Sequence, residues 1–255
     1  MEALRPLTAD PARAALFFDV DGTLAPIVER AQDAQVPKET SLLLSRLSRR
    51  YACVACISGR AAADVRRLVG VGGIAYSGLH GAELLEPNAK RAQVNPEFAR
   101  HMPAVKAFVG ARDTPELRAL RVRIEDKGPI MTFHWRGAPD EEAAHACVTR
   151  IAEEAATAGL WTHWGRKVLE IRPPVPIGKG RAVQDLLARQ PVRAALYAGD
   201  DVTDLDAFDA LGELENAVRV GVRSDEGPPE IVERADLVVD GVEGVREVLE
   251  ELDGP

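Results

Sequence analysis

The sequence predicts an α/β fold: a parallel sheet covered by helices on both faces, with a smaller α+β unit inserted into it. Three observations lead there. Short apolar runs recur along the chain at 14–18 (AALFF), 52–57 (ACVACI), 73–78 (GIAYSG), 194–199 (AALYAG), 217–222 (AVRVGV) and 237–240 (LVVD). Between them lie stretches with helical periodicity, the alternation expected of parallel strands joined by crossover helices. In the middle this rhythm gives way to the pattern helix-strand-strand, which occurs twice.

The individual elements follow from local signals. KETSLLLSRLSRR follows Pro37, a residue suited to an early helical position. GRAAADVRRLVG supplies the next helix, and GVEGVREVLEEL closes the chain as another. In the middle, residues 97–112 have a helical pattern, and RVRIEDK (121–127) and IMTFHWR (130–136) form a hairpin around Gly128-Pro129. A long helix starts near 139, followed by the strands LWTHW (160–164) and KVLEIRP (167–173) around Gly165. The inserted unit is therefore expected at 104–174, with 1–103 and 175–255 forming the main domain.

Bulk properties exclude several classes. With 255 residues, 46% hydrophobic and 28% charged, the chain has the composition of a soluble globular protein large enough for this division. A formal net charge of -8 argues against nucleic acid as partner, since there is no basic excess to neutralise phosphates. No apolar segment approaches the roughly 18 residues needed to cross a bilayer, so no membrane is expected. The opening MEALRPLTADPARAA has no apolar core of a secretory signal, and a cytoplasmic location is expected. Cys53 and Cys56 form a C-x-x-C within a strand-like run, where residues three apart point to opposite faces; they are expected to be buried thiols rather than a metal or disulfide pair.

The chemistry concentrates at the ends of the apolar runs. In LFFDVDGTLAP, Asp19 ends the first strand, where an open parallel sheet places its ligands. A carboxylate there is able to attack phosphorus. Asp21, one step on, is placed to protonate a leaving oxygen and then activate water, a role favoured by nearby negative charge. Gly22 permits a tight turn, and Thr23 offers its hydroxyl to a phosphate oxygen. A plain Asp-Gly turn after a strand is the structural alternative.

Three further runs end in similar fashion. CISGR brings Ser58 and Arg60, a hydroxyl and a guanidinium for phosphate or substrate, although Ser58 also suits the N-cap of the next helix. PIGKG sets Lys179 between two glycines just before a helix. YAGDDVTDLDAF crowds Asp200, Asp201, Asp204, Asp206 and Asp209 after the fourth run; some are charges at a helix N-terminus, while Asp200 at the strand end is placed to hold a metal. Hard oxygen ligands beside phosphate favour magnesium (Mg2+). No His/Cys set has zinc spacing, and VPIGKGR lacks the spacing of a nucleotide-binding loop.

DVDGT at 19–23, Ser58 in SGR, Lys179 in GKG and GDDVTD at 199–204, in this order, resemble the haloacid dehalogenase-like phosphatases. The resemblance implies a Rossmann-like core with an α/β cap, here the inserted unit, placed over the site. It implies Asp19 as nucleophile and Asp21 as general acid/base. It also implies Mg2+ held by Asp19, the backbone carbonyl of Asp21 and Asp200, with Asp201 and Asp204 acting through water or as supports. Ser58 and Lys179 would then bind the phosphoryl group. Within that superfamily FFDVDGTLAPI, SGR, GLHGAE at 78–83, VLEIRP followed by GKG, and GDDVTDLDAF are similar to the trehalose-6-phosphate phosphatases, although Leu205 stands where that family commonly has Glu.

The inserted unit has its own pattern. Strand alternation puts Arg123, Glu125 and Lys127 on one face, Thr132, His134 and Arg136 likewise, and Glu170 with Arg172, against apolar residues on the other. A polar face of mixed charge suits either a hydroxyl-rich ligand or a solvated surface with cross-strand ion pairs. The resemblance favours sugar binding by Glu125, Lys127 and Glu170. His80 and Glu83 in GLHGAE are candidates for the cleft, with a structural turn as the alternative for His80, and the tryptophans at 135, 161 and 164 are assigned to packing rather than to a stacking platform. The expected function is Mg2+-dependent hydrolysis of a small-molecule sugar phosphate, trehalose 6-phosphate first. Sucrose phosphate, mannosyl-phosphoglycerate or a hexose phosphate are the alternatives for the same chemistry, and a non-catalytic sugar-phosphate sensor is the alternative of a different class.

Overall fold

The structure is a computed structural model that describes residues 1–28, 30, 33–224 and 227–254. The strands, in chain order, are β1 (Ala14–Phe18), β2 (Cys53–Ile57), β3 (Ala75–Gly78), β4 (Glu83–Leu85), β5 (Gln93–Val94), β6 (Arg123–Asp126), β7 (Met131–His134), β8 (Trp161–Gly165), β9 (Val168–Arg172), β10 (Ala194–Gly199), β11 (Asn216–Arg223) and β12 (Leu237–Asp240). The helices are α1 (Arg5–Ala9), α2 (Lys38–Leu47), α3 (Ala62–Val69), α4 (Pro96–Gly110), α5 (Pro115–Ala119), α6 (Glu141–Thr157), α7 (Lys179–Leu187), α8 (Val202–Ala210), α9 (Pro229–Glu233) and α10 (Gly241–Asp253).

The chain divides into two compact units, Met1–Gln93 with Ile177–Pro255, and Val94–Pro176. The second begins ten residues before the expected 104, because α4 belongs to it as a whole. Asn95 starts that helix by accepting a 3.0 Å hydrogen bond from the Glu97 backbone N–H.

The larger unit is built on a sheet of order β12-β11-β10-β1-β2-β3-β4-β5. β12 through β3 run parallel, as the apolar runs predict, and β4 returns antiparallel to β3. β4 and β5 are absent from the sequence-based expectation: they are three and two residues long, too short to show an alternating pattern. Along β1 the side chains alternate between two cores. Leu16 and Phe18 pack with residues of α2, α3 and α10, while Ala15 and Phe17 pack with residues of α7, α8 and α9. Both faces are thus covered, which is why AALFF is apolar throughout and wholly buried. Each such phenylalanine contributes about 1.5–3 kcal/mol by burial. Gly70 stops α3 in the left-handed conformation (φ 75°), its N–H reaching back to the Arg66 carbonyl.

The C-x-x-C is resolved by the same alternation: Cys56 lies in the first core and Cys53 against the second, and both are free thiols. Burial, reinforced by Glu86, pushes Cys53 up to about 11, and burial pushes Cys56 higher still. At pH 8 only about one Cys53 in 10³ is therefore a thiolate. Ellman's reagent on the native protein is expected to label it slowly, with a rate rising about tenfold per pH unit up to that value. Complete labelling within seconds at pH 7.5 would contradict this placement.

The smaller unit carries an antiparallel sheet of order β6-β7-β9-β8. Met131, Phe133, Leu169 and Ile171 form a core with Val105, Phe108 and Val109 of α4 and with Ala144, Val148 and Ile151 of α6, as the alternation predicts. The first hairpin turns at Gly128 (φ 84°), as expected. The second turns at Arg166-Lys167, Lys167 adopting φ 61°, so Gly165 ends β8 rather than making the turn. Among the described residues, no helix is long and apolar enough to cross a membrane.

Candidate active site

β1 carries the chain from the core to its carboxyl end, where the Asp19 N–H donates to the Ala198 carbonyl of β10 at 2.9 Å. A tight turn follows: the N–H groups of Leu24 and Ala25 both reach the Val20 carbonyl, and Gly22 N–H donates to Ala25 O. Gly22 adopts φ +91°, and a Cβ built there would lie 2.1 Å from Asp200 Oδ2. Both backbone freedom and the absence of a side chain are required. Thr23 differs from expectation. Its fully buried hydroxyl donates to Asp200 Oδ1 at 3.2 Å, so it orients a carboxylate rather than being directed to a phosphate.

Asp200 follows the end of β10, as predicted, and Asp204 lies one turn into α8. A Cβ on Gly199 would fall 2.3 Å from Asp204 Cγ, so that glycine admits the Asp204 carboxylate. Asp201 is exposed and is the N-cap of α8, accepting from Val202 N–H at 2.6 Å; it is not in the buried carboxylate cluster. Lys179 is the first residue of α7 rather than preceding it. Gly180 lets α7 approach α8, since a Cβ there would sit 2.5 Å from the Asp206 carbonyl. That approach brings Lys179 Nζ to 2.6 Å from both Asp19 Oδ1 and Asp204 Oδ1.

Asp204 accepts four hydrogen bonds: Lys179 Nζ and Tyr197 Oη (2.5 Å) on Oδ1, and the backbone N–H groups of Asp200 and Asp201 on Oδ2. A carboxylate has about four acceptor positions, so Asp204 is saturated. Tyr197 is the residue that sequence reasoning missed. It is fully buried in the apolar run AALYAG, and only its position seven residues before Asp204 hints at the contact. Burial, then Asp204, raises its phenol well above the ordinary range and keeps it a donor.

Asp19, Asp200 and Asp204 each place one carboxylate oxygen within 4.8 Å of the others, all three residues being buried. Asp19 Oδ2 and Asp200 Oδ2 have no hydrogen-bond partner among the described residues. Burial pushes Asp19 well up, with Lys179 opposing and Asp204 and Asp200 adding to the rise. Burial and then Asp204 push Asp200 up to about 6. Burial works against the charge of Lys179, but Asp19 and Asp204 outweigh it and hold the ammonium. Three carboxylates face a single buried ammonium, and oxygen donors remain on two of them. This donor set, the carboxylates of Asp19, Asp200 and Asp204, fits a hard divalent cation.

The second predicted cluster assembles around β2 and β3. Ser58, 2% exposed, accepts from Arg60 N–H at 3.2 Å, and the N-cap of α3 is Ala61, so Ser58 does not cap that helix. Arg60 grips Asp21 with two parallel bonds, Nε to Oδ2 at 2.7 Å and a terminal nitrogen to Oδ1 at 2.6 Å. Asp21 was expected among negative neighbours; its direct partner is a cation. Glu83 accepts from the Ala62 N–H at 2.6 Å, capping α3 from across the loop, and Gly78 leaves room for that bond. Burial raises its carboxyl above the ordinary value. His80 holds a left-handed backbone (φ 56°), packs its ring against Gly59 and accepts the Gly178 N–H on its carbonyl. It ties the loop to the start of α7, the turn role named as its alternative.

Glu125, Lys127 and Glu170 lie in the smaller unit. Glu170 pairs with Arg172 at 2.5 Å and with Lys127 at 3.7 Å, and Glu125 meets His134 at 2.8 Å. The ion pairs weighed against sugar binding are therefore present on this face.

Comparison with known proteins places the chain. The family model described as Trehalose-phosphatase matches residues 17–238. The Trehalose-phosphate phosphatase of Mycobacterium marinum is 36% identical over 230 residues, covering 87% of this chain and 57% of that protein. Its Mycobacterium avium counterpart is 37% identical over 207 residues, covering 77% and 51%. The chain thus spans about half the length of the curated relatives it matches. Among solved structures, the C-terminal domain of C. albicans trehalose-6-phosphate phosphatase superposes with a TM-score of 0.69 at 23% identity, covering 99% of this chain and 96% of that one. A haloacid dehalogenase-like hydrolase from Bacteroides thetaiotaomicron gives 0.64 at 14% identity, with 94% and 99% covered. The fold is that of the haloacid dehalogenase-like hydrolases, and with its family match running from the strand before Asp19 to β12, the chain belongs to the trehalose-phosphatase family.

Proposed function

We propose that this chain hydrolyses trehalose 6-phosphate to trehalose and phosphate through a phosphoaspartate on Asp19, with Mg2+ as cofactor, in the cytoplasm. The observation that carries the reading is the state of Asp19: one oxygen is anchored by Lys179 at 2.6 Å while the other has no hydrogen-bond partner among the described residues. An anchored carboxylate with a free lone pair is a positioned nucleophile.

In the first step the Asp19 carboxylate forms a bond to phosphorus as the bond from phosphorus to the sugar O6 breaks. Asp21 gives its proton to that departing oxygen. In the second, a water attacks phosphorus, Asp21 takes the water's proton, and the bond to Asp19 breaks to release phosphate. Arg60 fixes both Asp21 oxygens and so sets the direction in which the carboxyl is presented. Lys179 supplies positive charge beside the transferring group, and Ser58 a hydroxyl. Asp19 and Asp200 would hold the Mg2+, which would neutralise charge so that an anionic carboxylate and an anionic phosphate can meet. The smaller unit supplies the sugar-recognition groups, Glu125, Lys127 and Glu170 among them.

Phosphate release from a panel of sugar phosphates, with and without chelator, tests the reading. Strong preference for trehalose 6-phosphate, lost on chelation, is the expected result. Comparable rates on glucose 6-phosphate would overturn the substrate, and full activity in rigorously metal-stripped protein would overturn the cofactor.

Affinity for Mg2+ is expected to depend on pH. Asp200 in the metal-free protein titrates at about 6, and the cation needs the carboxylate. Asp19 is raised as well, so binding should weaken progressively as pH falls through and below that value and protons compete for the carboxylates. Calorimetric titration at pH 7.5 and pH 5 reads this directly, and equal affinities would refute it.

A further inference from the structure

The polar face of the smaller sheet carries one group that the reading above leaves unused. Trp161 is 47% exposed, in contrast to Trp135, which is buried in the core. Its direct antiparallel partner is Arg172, and directly opposed residues of such a pair project from the same face. Trp161 therefore stands beside Glu170 and Arg172, on the side away from Leu169 and Ile171 and the helices that cover them. Trp164, three residues on, confirms the alternation by packing edge-on to Trp135 at 5.9 Å on the helix side. Trp135 and Trp164 are joined by this ring contact, and among the described residues Trp161 has none of the kind.

The surroundings are those of a carbohydrate subsite rather than of an exposed core residue. Arg172 is committed to Glu170 through bonds of 2.9 and 2.5 Å, and no cation lies over the Trp161 ring among the described residues. Glu170 also reaches Lys127, and His163 is its register partner on β8. Burial and Arg172 lower the His163 imidazole below its ordinary value, leaving it able both to donate and to accept at neutral pH. An open aromatic ring beside a fixed set of hydroxyl-binding groups is the combination that orients a ligand with apolar C–H faces and polar edges.

We propose that Trp161 is a stacking platform for a pyranose ring, a specificity-determining residue that works with Glu170, Arg172, Lys127 and His163. The proposal rests on the sugar-phosphate reading and adds a residue to it. The ring stacks on the indole while the charged groups hydrogen-bond its hydroxyls.

Steady-state kinetics on the full chain with two substrates tests it. Trp161→Ala is expected to raise KM for trehalose 6-phosphate by about tenfold with little change in kcat, the loss expected when an aromatic anchor is truncated. Hydrolysis of p-nitrophenyl phosphate, which has no pyranose, should stay at the wild-type rate. Trp161→Phe keeps a ring and should recover most of the loss. An unchanged KM, or an equal loss on both substrates, overturns the platform. Titration with trehalose, followed by tryptophan emission, keeps the two readings separate. Should the wild type hydrolyse p-nitrophenyl phosphate but not trehalose 6-phosphate, the substrate assignment fails on its own. The platform is then decided by saturable quenching that is present in the wild type and absent in Trp161→Phe. The same quenching decides the matter if Trp161→Ala does not fold, and no difference between wild type and Trp161→Phe overturns the proposal.

Discussion

Asp19→Asn is expected to lower turnover by about 10⁴-fold or more while leaving stability nearly unchanged. The kinetic half follows from the bond that must form: an amide oxygen has no anionic lone pair to give to phosphorus, and among the described residues no other carboxylate has one oxygen on Lys179 and the other without a hydrogen-bond partner. The stability half follows from the charges around it. Asp19 is 4% exposed, and burial already makes its ionised form costly. Replacing it leaves Lys179 paired one-to-one with Asp204 at 2.6 Å, and the Asn carbonyl oxygen can still accept from Lys179. Urea unfolding should place the variant within about 1 kcal/mol of the wild type, the range of substitutions that leave no buried group unpaired. Acid-quenched wild-type protein should carry a phosphoryl adduct on the peptide containing Asp19, and the variant none. Turnover within tenfold of wild type in Asp19→Asn, or an adduct on another residue, would refute the nucleophile.

The sheet and its strand ends were legible because the information is local. A strand buried on both faces is apolar throughout, so AALFF and AALYAG announce themselves, and the residues that follow fall at the carboxyl ends by topology alone. Asp19 and Asp200 were therefore locatable before any coordinates. Their partners were not. Thr23 donating to Asp200, Tyr197 donating to Asp204 and Arg60 gripping Asp21 depend on which loops meet, and the Thr23 and Arg60 contacts span 177 and 39 residues. Glu83 shows the same limit in reverse: a conspicuous acid in a loop proves to cap α3, a role visible only once Ala62 is in place. Glycines that look like loose turns in sequence turn out to be spaces, Gly22 for the Asp200 carboxylate and Gly199 for Asp204.

Asp204→Leu is expected to cost about 3–5 kcal/mol of stability, far more than the loss of Asp19, although each substitution removes one buried carboxylate from the same cluster. Charge does not distinguish them, since Lys179 keeps a carboxylate partner in either case. Hydrogen bonding does. Losing Asp204 strips the acceptor from Tyr197 Oη and from the N–H groups of Asp200 and Asp201, in addition to one bond from Lys179. Each buried donor left without an acceptor costs about 1–3 kcal/mol. Asn is no conservative replacement here. All four of these partners donate to Asp204, so the amide must turn its own NH2 either onto the Lys179 ammonium or onto the paired backbone N–H groups. Asp204→Asn should consequently fall closer to Asp204→Leu than to wild type in urea unfolding, and both should weaken Mg2+ binding by releasing the turn that carries Asp200. An Asp204→Asn protein as stable as Asp19→Asn would show that Asp204 is not the saturated support of the site, and the assignment of Asp19 and Asp200 as the two side-chain ligands would have to be reopened.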